Sequence, residues 1–340
     1  MNLIITICLI AVVVVFLLIN RTPNKIEDPI LDEVSPRLMQ RLTNGKINVF
    51  TYCNHRDYNF KMSWRYPQLK LTYSRPFEYL CIQSLIHNMG RYDVNIIVLN
   101  SRNVHSYLPD FPLTFSNDVS TKKTMDLLGA YILDRYGGIW ISPFTVVMNK
   151  DLSKYFDRLT AKPGTMVTVD DGRQIPAYGE IFTVGTSSNV AGIHHRNSRI
   201  VNNKIIGARR NSQIIRNYKN ILEKNIIGRS SLNFNALNRT QNNIEPLTDA
   251  ITSLTKGFHP FNTLGEKRDG TVNINHRRIH IDEYFGKMPL QFLDPSRVDF
   301  ISIPYEELET DTTYMWIHST PVKEMIQNNI AIVEILKRQL

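Results

Sequence analysis

The segment 126–148, DLLGAYILDRYGGIWISPFTVVM, restricts the folds open to this chain more than any other. Leu127, Leu128, Tyr131 and Ile132 recur at helical spacing, Gly137 and Gly138 follow, and Ile139 to Val147 is dense in β-branched and aromatic residues. Glycine takes up the left-handed backbone that ends a helix without a side-chain clash. β-branched and aromatic residues suit a buried strand. The reading is a helix, a tight corner and one strand from Ile139 to Val147, with chemistry expected where that strand ends.

The flanking chain repeats the alternation of strand and helix. Ile47 to Tyr52 reads as a first strand, and the polar, aromatic stretch from Cys53 to Tyr66 falls where a doubly wound fold puts its ligand loops. Tyr52, at the strand's end, is a candidate donor contact. Pro76 at a first helical position, Glu78 just inside, an apolar stripe through Leu80, Cys81 and Leu85, and Gly90 predict a helix. Val94 to Leu99 is a continuous apolar run of the parallel, buried kind. Ser120 or Thr121 is placed to cap the helix that enters the corner. Downstream, strands are expected at Met166 to Val169, Ile181 to Val184 and Tyr314 to Ile317. Helices are expected at Ile214 to Leu222 and, opened by Thr320-Pro321, through Val322, Met325, Ile326, Ile330 and Val333. The fold class is therefore α/β.

With 340 residues and 42% hydrophobic side chains the chain can bury a large core, and it is no disordered polymer. Its formal net charge of +9 suits an anionic partner, and it equally describes a solvated basic surface. No nucleic-acid-binding motif accompanies the charge, so none is expected as partner. Cys8, Cys53 and Cys81 are too few for a disulfide scaffold and have no metal spacing. Cys53 and Cys81 can be one bridge or two buried thiols. Leu3 to Ile19 is apolar except for Thr6, and with its neighbours it reaches the length of a bilayer span. Residues 1–20 read as a signal-anchor rather than a cleaved signal peptide, because no Lys or Arg precedes the run and no small-x-small site follows. Arg21 and Lys25 favour a cytoplasmic body by the positive-inside rule. Residues 21–46, with Pro23, Pro29 and Pro36, read as a stem, and 47–340 as the folded body. The sequon at Asn238 matters only for a lumenal or extracellular body.

The spacing D-L-L-x(8)-Y-G-G-I-W-I, the preceding β-α-β unit and the terminal W-I-H-S-T segment resemble the capsular polysaccharide synthesis proteins and the related DXD-sugar-binding glycosyltransferases. The resemblance implies a GT-A-type fold, a nucleotide-diphospho-sugar donor, a glycan or glycoprotein acceptor, Mn²⁺ or Mg²⁺ held by paired aspartates, and often one N-terminal span. Asp126, Leu133, Tyr136, Gly137, Gly138, Ile139 and Trp140 agree with that family's pattern. The family's helix arginine is Gly129 here, and its two carboxylates, or the single Asp of the capsular branch, fall at Ser142 and Phe144 about Pro143. Aspartates in that place would hold a hard cation against the diphosphate. A serine is a poor sole ligand and a phenylalanine is none.

Candidate catalytic residues are Asp126, which would orient the donor or brace the loop after Gly138; Asp171, with Asp170, as relocated metal ligands or catalytic base, Glu180 being a similar base candidate; and His318, near the donor phosphates or metal by resemblance. Candidate donor-binding residues are Tyr52, Gly137, Gly138, Trp140, Ser142, Arg277 and Arg278, the last two lying in a cation cluster with His276 and His280. For each, an ordinary structural part is the alternative: an Asp-Gly turn for Asp171, a satisfied histidine for His318, and a solvated loop for the arginines. His194, His195 and Arg196 read as surface residues. Two functions follow: a membrane-anchored glycosyltransferase, or a noncatalytic glycan-binding or structural descendant.

Overall fold

The computed structural model describes residues 42, 45–53, 76–101, 103–112, 121–162, 166–168, 174–176, 181–184, 186–187, 200–201, 203–226, 247, 250, 261–264, 270–304, 308, 312–314, 316–317 and 320–340. They fall within one compact unit, Pro36–Leu340. The apolar run Leu3 to Ile19 lies outside them, and among the described residues no helix is long and apolar enough to cross a membrane.

The chain enters through β1 (Ile47–Tyr52), α1 (Pro76–Met89), β2 (Val94–Leu99), the short α2 (Val104–Tyr107), α3 (Thr121–Tyr136), β3 (Gly138–Ile141) and β4 (Thr145–Val147). It continues through α4 (Ser153–Thr160), β5 (Met166–Thr168), β6 (Gln174–Pro176), β7 (Ile181–Val184), β8 (Thr186–Ser187), β9 (Ile200–Val201), β10 (Ile205–Ala208) and α5 (Gln213–Ile226). The described part ends with β11 (Phe261–Leu264), α6 (Ile281–Phe285), β12 (Phe300–Ser302), α7 (Val322–Gln327) and α8 (Ala331–Gln339). The α/β expectation holds, with a central six-stranded sheet in the order β11-β7-β10-β3-β1-β2. β1 pairs in parallel with β2 and with β3, and β11 pairs in parallel with β7. β10 runs antiparallel to both its neighbours.

Period-two alternation decides which helix covers which face. Val49, Ile139 and Ile141 pack with Leu85 and Met89 of α1. Phe50, Tyr52 and Trp140 pack with Leu127, Leu128, Ile132 and Leu133 of α3 and with Ile214 and Tyr218 of α5. The chain thus leaves β1 for β2 over one face and returns to β3 over the other. That reversal of direction is a switch point between β1 and β3, and crevices for ligands open beyond the carboxyl ends of such strands.

The corner between α3 and β3 needs both its glycines. Gly137 has φ of 67° and Gly138 of 103°, and a Cβ on Gly138 would stand 2.2 Å from the Asn48 carbonyl oxygen of β1. At the helix end the Gly137 N–H donates to the Leu133 carbonyl at 2.9 Å, satisfying one of the last-turn acceptors. Gly129 has a different reason: a Cβ there would meet the Trp140 indole at 2.8–2.9 Å. The space beside Gly129 is filled by a buried tryptophan ring.

Three expected elements differ from the structure. The strand from Ile139 to Val147 is two strands, because Pro143 has no N–H to give a ladder and Phe144 takes φ of 60°, turning the chain back. β4 then pairs with β12 in a separate sheet. Tyr314 to Ile317 is not a strand: Thr312–Tyr314 is a 3₁₀ turn, and Tyr314 and Ile317, three apart, bury into one cluster as a helical period requires. The C-terminal helix is divided, since the Ala331 N–H donates to Gly286 at 2.8 Å rather than to the preceding turn. Cys53 and Cys81 are both buried free thiols.

Replacing Gly129 by leucine drives a side chain into the indole of Trp140. It is expected to lower stability by about 2 kcal/mol in urea unfolding, whereas Gly129→Ala, with one atom in the same place, costs less.

Candidate functional site at the carboxyl edge of the sheet

Helical and strand rises place the sequence candidates relative to this edge. From Asp126 to Tyr136 the helix climbs about 15 Å, and from Gly138 to Ser142 the strand returns about 13 Å. Asp126, half-buried, therefore comes level with Ser142. The β1–β3 ladder ends with Phe50 opposite Trp140, and the same register carried two residues further would bring Tyr52 level with Ser142. The β10–β3 register pairs Ile205 with Ile141, and one step further the Ser142 N–H donates to the Lys204 carbonyl at 2.7 Å. Leu99 flanks Tyr52 on the other side, and its carbonyl accepts the Cys53 N–H at 2.8 Å. Leu99, Tyr52, Ser142 and Lys204 form one cross-strand row along the carboxyl edge.

The turn that closes this row is held tightly. Ser142 is buried, and Phe144 is buried with its ring stacked on Phe77 of α1 at 6.1 Å. Phe77 meets Phe285 edge-on at 5.3 Å, and Phe285 in turn meets Trp316 at 6.3 Å. A left-handed backbone at a phenylalanine costs of order 1–3 kcal/mol, which burial of its ring in the core offsets. The Phe144 carbonyl accepts the Ile303 N–H at 3.2 Å, and the Ile303 carbonyl accepts the Lys204 ammonium at 3.0 Å. Lys204 thus meets the turn directly at Ser142, and its ammonium reaches Ile303, whose N–H bonds the Phe144 carbonyl.

The other candidates stand elsewhere. Gly137 and Gly138 sit at the opposite edge, where β3 begins, and their part is the corner itself. Trp140 is 1% exposed within the core over Gly129, a packing position rather than a donor contact. Arg277 is exposed and pairs with both oxygens of Glu283, at 2.7 and 2.9 Å. Arg278 is exposed on the same loop. Glu283 also accepts the His280 N–H at 2.8 Å, so the arginine helps cap α6. Asp170, Asp171, Glu180, His194, His195, Arg196, Asn238 and His318 lie outside the described residues.

Two groups at this edge were not read as site candidates. Lys204 is an isolated charge in sequence, and only the antiparallel course of β10 brings it to the row. Glu78, read as a helix-start signal, is 1% exposed in the first turn of α1, next to Phe77. Burial, with Glu78 beside it, pushes the Cys81 thiol well up, so this cysteine is held as the neutral thiol.

A hard divalent cation wants several anionic oxygens. The turn offers a serine hydroxyl, a proline and a phenylalanine turned into the core, with an ammonium at the end of the row. Among the described residues there is no group of three His, Cys, Asp or Glu side chains suited to a metal. The described side chains of this turn do not fit Mn²⁺ or Mg²⁺.

Residues 79–226 match the family described as capsular polysaccharide synthesis protein. The matched segment runs from α1 to the end of α5, taking in the α3–β3 corner, the Ser142–Phe144 turn and β10. The capsular polysaccharide synthesis resemblance carried by the Y-G-G-I-W-I corner is met there. No curated protein matches the chain. Among solved structures, PaToxG glycosyltransferase aligns with a TM-score of 0.35 at 12% identity, covering 62% of this chain and 70% of that one. The galactosyltransferase LgtC with donor and acceptor sugar analogs gives 0.36 at 10%, covering 84% and 100%. An active-site mutant of LgtC gives 0.36 at 11% with the same coverage. No residue role is taken from these likenesses.

Two outcomes follow from the geometry. Phe144→Asp, which places a carboxylate in this turn, puts a charge into the aromatic cluster. It is expected to cost about 4 kcal/mol or more in urea unfolding without creating a metal-induced rise in melting temperature. The hydrogen bonds from Arg277, with its charge, hold the Glu283 carboxyl below its ordinary range. Because the folded value is depressed, the pairing contributes fully above the ordinary range and is lost as pH falls through the lower folded value. The protection factor of the His280 amide against hydrogen exchange is expected to drop as pH falls through the depressed Glu283 value, and to be already low in Arg277→Ala.

Proposed function

We propose that this chain is a glycosyltransferase of the GT-A type. It takes a sugar from a nucleotide-diphospho-sugar bound at the carboxyl edge of the sheet and gives it to a glycan or glycoprotein acceptor. One observation supports the reading: the switch point between β1 and β3 lies within a domain whose 79–226 segment matches the capsular polysaccharide synthesis family, and counting along the strands and α3 brings Tyr52, Ser142 and Asp126 toward one edge. A crevice at such a point takes a nucleotide with its diphosphate toward the strand ends. Asp126, level with Ser142 on the neighbouring helix, orients the donor sugar. The apolar run Leu3 to Ile19 anchors the protein as a single-pass membrane protein, the setting in which lipid-linked or nascent surface glycans are extended.

The noncatalytic reading draws on a specific observation as well: the side chain at the second carboxylate position, Phe144, is spent on the core. A protein that kept the fold to bind glycans would need no charge at that turn.

The two readings separate in one assay. Full-length protein in detergent is incubated with UDP- and GDP-sugars, and donor hydrolysis and transfer to oligosaccharide acceptors are followed with EDTA and with Mn²⁺. A transferase turns over one donor and loses on the order of 100-fold in rate on Asp126→Asn with an unchanged melting temperature. Absence of donor binding across the panel defeats the transferase reading.

A further inference from the structure

We infer that Lys204 supplies the fixed positive charge for the donor's diphosphate at this edge, in the place that a divalent cation occupies when paired aspartates are present. The inference rests on reading the carboxyl edge as the nucleotide-diphospho-sugar site, and it adds what recognises the diphosphate there.

A nucleoside diphosphate brings about three negative charges to the end of the sheet, and the turn at Ser142–Phe144 offers no anionic pair to recruit a metal to them. Charge compensation must then come from a protein cation set near that turn. Lys204 is so set. Its backbone carbonyl holds the Ser142 N–H at 2.7 Å, which fixes the start of its side chain one strand away from Ser142. Its ammonium donates to the Ile303 carbonyl at 3.0 Å, and Ile303 is itself bonded to the Phe144 carbonyl at 3.2 Å. The charge is therefore held at the far end of the same turn, half-buried, instead of sweeping through solvent. Across two strand spacings, roughly 10 Å, Tyr52 and Lys204 bracket Ser142, a span suited to a nucleotide lying along the edge. A half-buried ammonium acts on a diphosphate through space whichever acceptors share its protons, and more strongly than an exposed one.

The same ammonium opposes a metal ion. A divalent cation at the Ser142 turn would be repelled by an ammonium held on Ile303 beside it. Lys150 provides a built-in comparison. It too donates to backbone carbonyls, of Pro295 at 2.8 Å and Ser296 at 2.6 Å, but on the stretch after β4, next to Tyr92 at the opposite edge.

The test is the preference for nucleoside diphosphate over nucleoside, measured by titration calorimetry on the full-length protein in EDTA with UDP, GDP, uridine and guanosine. Wild type is expected to prefer the diphosphate, Lys204→Met to lose roughly 10- to 100-fold of that preference while still binding the nucleoside, and Lys204→Arg to keep most of it. Lys150→Met, which removes a like contact at the other edge, is expected to leave the preference unchanged. If Lys204→Met keeps the wild-type preference, or if the wild-type preference vanishes in EDTA and returns with Mn²⁺, Lys204 is not the compensating charge although the donor site stands. If neither nucleotides nor nucleosides bind wild type, the donor site itself is gone and the role of Lys204 with it.

Discussion

β3 lies in parallel beside β1 because residue 138 has no side chain. The Asn48 carbonyl occupies the space a Cβ would need, at 2.2 Å, and no rotation of a larger residue removes that conflict. Much of the edge depends on this close approach. It sets the register that puts Tyr52 beside Ser142. It also lets α3 lie on the face opposite α1, and it presents Trp140 to Gly129 so that helix and strand pack without a gap. The two glycines of the corner therefore act at a distance from the ligand edge: they aim the strand whose far end forms it.

Around the Ser142 turn the described contacts are largely aromatic: Phe144 packs on Phe77, Phe77 on Phe285, and Phe285 on Tyr314 and Trp316. This aromatic series fixes the turn against the C-terminal part of the fold. Rigidity here comes from packing, and the Lys204 ammonium lies on Ile303 beside a turn already held in shape.

Strong periodicity made much of the fold legible. β1, α1, β2 and α3 could be read from apolar runs, a helical stripe and their glycine or proline boundaries, because each carries a pattern of its own. The level of Asp126 with Ser142 follows from counting residues along a helix and a strand. What failed to show was decided by contacts between distant segments. β10 is a four-residue strand containing Gly207, where a Cβ would stand 2.0 Å from the Phe182 ring, so the residue that suits its neighbour weakens its own strand signal. The reversal at Phe144 needed a residue of poor left-handed propensity to adopt φ of 60°, and the stacking that stabilises it lies 67 residues away along the chain at Phe77. Tyr314 to Ile317 has strand-like composition, but its burial has the period of a helix.

β10 has one more consequence. Parallel strands offer a ligand edge the residues that follow them, so the edge is ordinarily furnished by loops leaving the sheet. An antiparallel strand in their midst faces that edge with its entrance, and the residue arriving there, Lys204, is anchored by the strand that comes after it. Such a position can change its chemistry while the outgoing loops keep theirs. A fold with one reversed strand among its described strands thus holds a second, independently adjustable source of side chains at the same edge, open to change without rebuilding the sheet.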